Sequence, residues 1–567
     1  MNKKLISRII GIICLVVTFA LIFTLGIPTM KEKRISFDST YKNEPVNLKG
    51  SYYEVQGAEY AALICPGYSC DRQKWRPMAN VFAKNGISVM TFDYAGQGAS
   101  SDTIGFDNAK TDSIPAEIGD AIEKLHTISG IDYDHIILVG HSMGGRSILR
   151  LLYDYNDPSA ETTVTKRDIS NVILMSPEVN YNFNAQASLF AGTSDDAEEP
   201  WHSYNEALTK GTNIYLYGST ADDIVSEGDI YAIYNHIGGK GTPTEGKWSS
   251  TQVNGVGSKI TVGVTSGVLH SYMMYSPRCT ALVNGAIEDI TGKASTFAPA
   301  EISFVYISWI MGLLGLALVF VSLKSENKVT DEAELPVITD SKKFLLRKLL
   351  MWLPGLLAAF VICCICVAMP FGSPVMNIPY MCCIAGYGLV MIFAYRKGKF
   401  KGTEGKLPRL NIKSLADGKT AAVIIAITVA LCFYVWFILR GTMYRLIPVN
   451  ARLFWVIFAT ILMAAGYYVS GCENDMLKKS NVSAKTVFLY NLIQYVALFL
   501  LIAFYLVIKS YSGVIGQAQN MIFMYIFCVP LGDYIRRKTG NRFIGAAVSA
   551  FSFQTFMITS AALISFF

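Results

Sequence analysis

The sequence is short of charge, of histidine and of metal-binding patterns. Asp, Glu, Lys and Arg together make up 16% of its 567 residues, against 52% hydrophobic residues. That balance points to a membrane protein. The net charge is only +6. The excess lies in basic loops between apolar runs, which argues against nucleic acid as a partner. All six histidines lie at or before position 270. The apolar second half has none, and few other ionisable groups inside its runs, which disfavours a proton-relay or redox transporter. The 12 cysteines follow no metal-ligand spacing. Most sit inside apolar runs, as in Cys363-Cys364-Ile365-Cys366 and Cys382-Cys383, and read as small hydrophobes. Only Cys65, Cys70 and Cys279 fall in residues 30–298, too few for a closed disulfide framework, and a Cys65–Cys70 bridge is not expected. The pattern calls for no metal and no cofactor. Residues 34–298 hold no N-x-S/T sequon, which is compatible with a bacterial surface protein.

What is present is unevenly spread. Residues 30–298 read as an ordinary soluble domain, and residues 299–567 are mostly apolar runs of membrane-spanning length. At the start, Lys3, Lys4 and Arg8 flank an apolar run from Ile9 to Ile27, long enough to cross about 30 Å of hydrocarbon. It is long for a cleaved signal, and Ile27-Pro28-Thr29-Met30-Lys31 is a poor cleavage site. The run is expected to be a retained anchor with a cytoplasmic N-terminus, which puts the following domain outside.

Within the soluble part, short apolar runs alternate with helical spacing, which predicts a mostly parallel α/β sheet. Residues 34–58 suit two antiparallel edge strands. Runs at 61–65, 87–93, 136–139, 172–175, 213–217 and 259–264 read as further strands. Helices are expected at 75–84, 115–125, 146–152, 226–237 and 271–291. The pattern is centred on Gly140-His141-Ser142-Met143-Gly144, a G-x-S-x-G directly between a strand and a helix. The small residues at 140 and 144 let the chain bend sharply enough to expose a serine. The same turn places Ser142 at a helix N-terminus, where free N–H groups can stabilise an oxyanion.

A serine hydroxyl needs an adjacent base, usually a histidine oriented by a carboxylate. Of the six histidines, only His270 follows the last strand. It is the candidate general base. Asp222, after the strand at 213–217, is the candidate acid, with Asp223 and Glu178 as alternatives. The order Ser142, Asp222, His270 is the Ser…Asp…His order of a strand–turn–helix nucleophile. Backbone N–H groups of Met143 and Tyr68 are the candidate oxyanion donors. Residues 177–210 are polar and irregular and are read as a small cap.

Over about residues 45–292 the chain resembles the α/β-hydrolase superfamily, specifically its esterase, lipase and serine-aminopeptidase-like members. Pro66-Gly67-Tyr68 resembles the oxyanion loop. Asp93-Tyr94-Ala95-Gly96-Gln97-Gly98-Ala99-Ser100 resembles the D-x-R-G-H-G-x-S segment, departing at Ala95 and Gln97. Asp222 and His270 fall in segments resembling the acid and histidine loops. The resemblance implies a hydrolase fold, a mostly parallel sheet with helices on both faces, with a Ser-His-Asp triad.

Eight further apolar segments follow, at about 302–322, 349–369, 378–395, 420–439, 453–470, 486–508, 517–534 and 543–566, making nine spans with the anchor. Loops assigned to the inside carry twenty-one basic residues, and those assigned to the outside carry Arg440, Arg445, Arg452 and Lys509. This asymmetry sets the orientation. The outer arginines, Arg440, Arg445 and Arg452, are read as snorkelling to the interface, with binding of anionic headgroups as the alternative, and Asn491 and Gln494 as hydrogen-bond glue between helices rather than a substrate site. The expected organisation is an anchor over 1–33, an extracytoplasmic hydrolase domain over 34–298, a helix over 299–324, a cytoplasmic linker over 325–345 and about seven helices over 346–567. The expected activity is cleavage of an ester or related acyl bond. Its partners would be an acyl-containing substrate, with a lipid as the natural class beside a bilayer, and membrane lipids. An acyltransferase using the same triad is the alternative within enzymes. A transporter or signalling protein with a ligand-binding outer domain is the alternative outside them.

Overall fold

The computed structural model describes residues 3–25, 30–41, 44–101, 103–105, 113–156, 165–179, 205–241, 248–253, 258–322, 335–374, 377–398, 400–408, 418–439, 448–559 and 561–565. The expected cap lies mostly outside the described residues, and so does His202.

A nine-stranded sheet organises the first half. Its strands are β1 (Glu32–Tyr41), β2 (Glu44–Tyr53), β3 (Ala61–Cys65), β4 (Ser88–Asp93), β6 (Ile136–Ser142), β7 (Asn171–Pro177), β8 (Asn213–Ser219), β9 (Trp248–Val253) and β10 (Ser258–Thr265), with the two-residue β5 (Ile104–Gly105) outside it. The spatial order is β1-β2-β4-β3-β6-β7-β8-β10-β9. Strands β4, β3, β6, β7, β8 and β10 run parallel, while β1, β2 and β9 add antiparallel edges. The central strands β3 and β4 are buried at every position, as apolar runs covered on both faces must be. One face packs on the helices Ser113–Ser129 and Met143–Asn156, the other on Arg76–Lys84 and Pro277–Thr291.

Two local features differ from expectation. Strand β9 was not expected, because Trp248-Ser249-Ser250-Thr251-Gln252-Val253 has little apolar alternation and is fixed only by pairing with β10. The helix expected from residue 271 starts at Pro277. Residues His270–Tyr275 form a 3-10 turn instead, and Ser276, held extended before the proline, caps the helix by accepting from the Cys279 N–H. Proline at the first helical position fixes that boundary.

Among the described residues, six helices are long and apolar enough to cross a membrane: Lys3–Thr24, Pro299–Phe320, Ser341–Val367, Ile378–Arg396, Ala451–Lys479 and Tyr511–Thr539. A seventh is added if Ala484–Gln494 and Phe499–Val507, bent by 53°, form one span. Two expected spans fall short of that test among the described residues. In the helix Gly418–Leu439 the described residues form an apolar stretch, Ile424–Val435. The helix Arg542–Thr559 buries Ser549, Ser552, Gln554 and Thr555 and packs along Ala451–Lys479. A two-residue strand, Ile564–Ser565, follows and pairs with β5. The first helix packs against Phe304–Ser322. Thr18 donates to Ser308 O there, so the helices flanking the sheet domain form a pair.

The sheet domain rests on the apolar helices through specific bonds. Arg452, fully buried, donates to Gly96 O at 2.7 Å and to Ala561 O at 2.9 Å. Its expected interfacial position is therefore corrected. Its guanidinium donates to one carbonyl of the sheet domain and one of the C-terminal segment, and so it joins the two halves. Asn450 donates to Ser100 O at 3.0 Å, and Leu563 N–H to Gly96 O at 2.9 Å. Gln494 accepts from Lys348 Nζ at 2.7 Å and links two helices, whereas Asn491 bonds only to Val487 O of its own helix.

Candidate active site

The turn at Ser142 is built by steric necessity. Ser142 has φ +52°, a left-handed conformation that an L-residue adopts only under constraint. A Cβ on Gly144 would stand 2.2 Å from Cys65 O, and one on Gly140 would stand 2.7 Å from Gly145 Cα. The glycines therefore let β6 turn directly into the helix Met143–Asn156 beneath the end of β3. A Cβ on Gly67 would meet Ser142 Cβ at 3.1 Å, so the Pro66-Gly67-Tyr68 loop lies against the serine.

The end of β8 and the loop after β10 supply the other two groups. His270 Nδ1 lies 3.0 and 3.1 Å from the two oxygens of Asp222. Both side chains are almost wholly buried, at 4% and 0% exposure. Asp222 Oδ1 also accepts from the Ile224 and Val225 N–H groups at 2.9 and 2.8 Å. Burial pushes the Asp222 carboxyl up. The His270 hydrogen bond and charge, the Ser176 hydroxyl and the Val225 N–H outweigh it and hold the carboxyl below its usual range. A charged Asp222 orients His270 with Nδ1 protonated and Nε2 bare. His270 Nε2 is buried with no hydrogen-bond partner. No hydrogen bond joins Ser142 to His270 Nε2 in this structure.

The two alternative carboxylates do other work. Glu178 faces Arg146 at 3.4 Å. Asp223 lies behind His270: its Oδ1 accepts the His270 backbone N–H at 3.3 Å, and its carboxylate accepts the Ser512 N–H and hydroxyl, each at 2.6 Å. Ser512 lies in the first turn of the membrane-half helix Tyr511–Phe523. One free N–H of that turn is satisfied by a carboxylate from the sheet domain.

The departure at Gln97 has a structural role. Gln97 is buried and its Oε1 accepts the Cys70 N–H at 3.1 Å, which ties the 93–100 segment to the loop carrying Tyr68. Asp93 holds that segment, accepting from Arg72 N–H at 2.7 Å and Ala99 N–H at 2.8 Å and pairing with the Arg72 guanidinium. Cys65 and Cys70 are free thiols, and burial raises the pKa of both, so neither is a thiolate at neutral pH. Three positioning features were not read from the sequence: Asp223 toward Ser512, Gln97 toward Cys70, and His141. Only the departure at Gln97 left a signal.

His141 Nε2 donates to His270 O at 3.1 Å, and the two rings lie 4.7 Å apart. Its Nδ1 has no partner. Burial first, and the His270 charge second, lower its pKa from 6.5 to about 3. A histidine held neutral in the fold adds stability above its unfolded pKa near 6.5. That stability is lost as pH falls toward 3, by up to roughly 1.4 kcal/mol per pH unit. Thermal unfolding of purified protein across pH 4–7 should show a shallower decline for His141→Gln than for wild type. Parallel declines would contradict this assignment.

The comparisons fall on this same half. Residues 61–205 match the model of the alpha/beta hydrolase fold family. A Synechocystis sp. protein named for non-heme chloroperoxidase activity is 28% identical over 124 residues, 22% of this chain and 42% of its own length. Among solved structures, an esterase of Pyrococcus furiosus aligns at 15% identity over 46% of this chain and 92% of its own, with a TM-score of 0.32. A carboxyl esterase from Bacillus coagulans aligns at 13% identity over 46% and 99%, with a TM-score of 0.33. Given the family match, the parallel sheet order and the strand–serine–helix turn, this chain carries an α/β-hydrolase domain.

Proposed function

We propose that the protein is a membrane-anchored serine hydrolase that cleaves an ester or related acyl bond outside the cell membrane. The observation that carries this reading is the buried Asp222–His270 pair, 3.0 Å apart, in a fold that also holds Ser142 in a left-handed conformation at a strand–helix turn. Ser142 Oγ attacks the substrate carbonyl as His270 Nε2 takes its proton, and Asp222 stabilises the imidazolium. The N–H groups of Met143 and Tyr68 hold the oxyanion. Collapse of the tetrahedral intermediate passes the proton from His270 to the leaving alcohol and leaves an acyl-Ser142. Water, deprotonated by His270, then releases the acid and restores the hydroxyl. A binding module would have no need of a buried, charged carboxylate behind a bare imidazole nitrogen.

A lipid or lipid-linked acyl substrate follows from location. The helices Lys3–Thr24 and Pro299–Phe320 flank the domain, so both its ends are held at the bilayer. The outer side follows from charge. The segments that touch the domain, around Asn450, Arg452, Ser512 and Leu563, belong to the loops poor in basic residues, and the basic loops lie at the other ends of those helices.

A fluorophosphonate probe tests the reading, because it reacts with an activated serine. Full-length protein in detergent should be labelled stoichiometrically. Ser142→Ala should not be labelled, and a serine-directed label that survives this substitution would sink the proposal.

A further inference from the structure

The hydrolase reading leaves unused a cavity of about 750 Å³ inside the membrane half, a volume suited to a small molecule or the head and upper chain of a lipid. We propose that it binds an amphiphile with an anionic, phosphate- or carboxylate-bearing head, entering from the membrane face opposite the hydrolase domain.

Position comes first. Arg452, near the start of the helix Ala451–Lys479, touches the hydrolase domain. Lys478, at its other end, lines the cavity, as does Gly466 near its middle. At 1.5 Å per residue, Lys478 lies about 39 Å from Arg452, across the bilayer, with Gly466 about halfway. The cavity therefore runs from the bilayer interior to the distant rim.

Its two ends differ chemically. The rim carries Lys478, Arg536, Arg537 and Arg542. The carboxylates paired with these arginines are Asp475 and Asp533, so four cations face two anions. Lys478 is exposed, Arg537 half-buried and Arg542 buried, which grades the charge inward. Positive charge in excess of its carboxylate partners, outermost at the exposed Lys478, favours an anion at this rim. The inner walls are aromatic, with Tyr380, Tyr467 and Tyr525 among them.

Two further observations point to an occupant. The walls contain polar atoms that are buried and lack hydrogen-bond partners: Arg542 Nη2, Tyr467 Oη and Tyr525 Oη. Such groups are costly unless a ligand or water satisfies them. The wall also contains a π-helical turn, Met524–Cys528, inside the span Tyr511–Thr539. There Val529 N–H donates to Met524 O, five residues back, just before Pro530. Proline cannot extend the α ladder, and the wider turn accommodates it where Met524 and Tyr525 face the cavity. Turns of this kind mark functional places in helices.

Native mass spectrometry of the full-length protein in detergent tests the site with three probes: an oleoyl lysolipid with a phosphomonoester head, the same lysolipid with a phosphocholine head, and glycerol 3-phosphate. The phosphomonoester lysolipid should form a saturable one-to-one complex. Arg542→Gln and Lys478→Gln should each weaken it by about tenfold, the loss of one charge-assisted hydrogen bond. Lys478 is exposed, so its variant keeps the test valid if Arg542→Gln fails to fold. Equal binding of the phosphocholine lysolipid would overturn the anionic half of the proposal. Equal binding of glycerol 3-phosphate would overturn the amphiphile half and identify a site for a free anion. No complex with any probe would overturn both.

Discussion

Replacing Ser142 with alanine should lower kcat for an activated ester by on the order of 10⁴-fold or more, with KM little changed. In the proposed reaction the serine is the group to which a bond is made, and its removal leaves the proposed oxyanion donors in place. The substitution is also gentle on the fold: Ser142 is half-buried, and β6 keeps its pairing with β3 and β7. The acid pair sharpens the test. Asp222→Asn should cost nearly as much as Ser142→Ala, because an amide facing His270 Nδ1 favours the wrong tautomer. Asp223→Asn should cost far less, since that residue bonds the backbone N–H of His270 and Ser512 of the membrane half. Initial-rate kinetics on the three variants check this. A Ser142→Ala enzyme with undiminished kcat, or a larger loss at Asp223 than at Asp222, would overturn the assignment.

The largest stability effect should come from the membrane half. Lys348 and Glu473 form an ion pair at 2.6 Å in which both side chains are 0% exposed. Glu473 also accepts from Tyr395 at 2.8 Å and Tyr490 at 3.2 Å, and Lys348 donates to Gln494 at 2.7 Å. The ammonium lies 4.5 Å from the centre of the Tyr490 ring. Glu473→Ala leaves a buried ammonium without its counter-charge and two phenols without their acceptor. It should destabilise the bundle by roughly 3–5 kcal/mol. The double variant Lys348→Met/Glu473→Leu removes both charges and should recover much of that loss, because the desolvation penalty disappears with the pair. Unfolding midpoints in detergent measure both. A double variant no more stable than Glu473→Ala would show that the tyrosine and glutamine bonds, not the charges, hold the helices.

Much of the hydrolase half was legible because its signals are local. A buried parallel strand is a short apolar run, and a sharp strand–helix turn requires glycine at fixed offsets. Hence 61–65, 136–139 and Gly140 to Gly144 could be read directly. The acid was narrower ground. Asp222 and Asp223 are adjacent, and their separate roles depend on which carboxylate the loop turns toward His270 and which toward Ser512, 289 positions further along the chain. The spans were legible as apolar length but not as contacts. Arg452 has the composition of an interfacial residue and the structure of a domain tie. The helix Arg542–Thr559 has near-spanning length but keeps its polar side chains inside the bundle.

By itself, the sequence determined the architecture of a serine-bearing α/β sheet between apolar helices, because strand runs, glycine turns and hydropathy act over a few residues. Only the tertiary structure decided which carboxylate meets His270 and that Gln97 braces the Tyr68 loop. It also decided that the apolar helices hold the 93–100 segment, through Arg452 and Asn450, and the loop of Asp223, through Ser512. Those are pairings between distant parts of the chain, fixed by which buried donors and acceptors the packed fold leaves within hydrogen-bond reach.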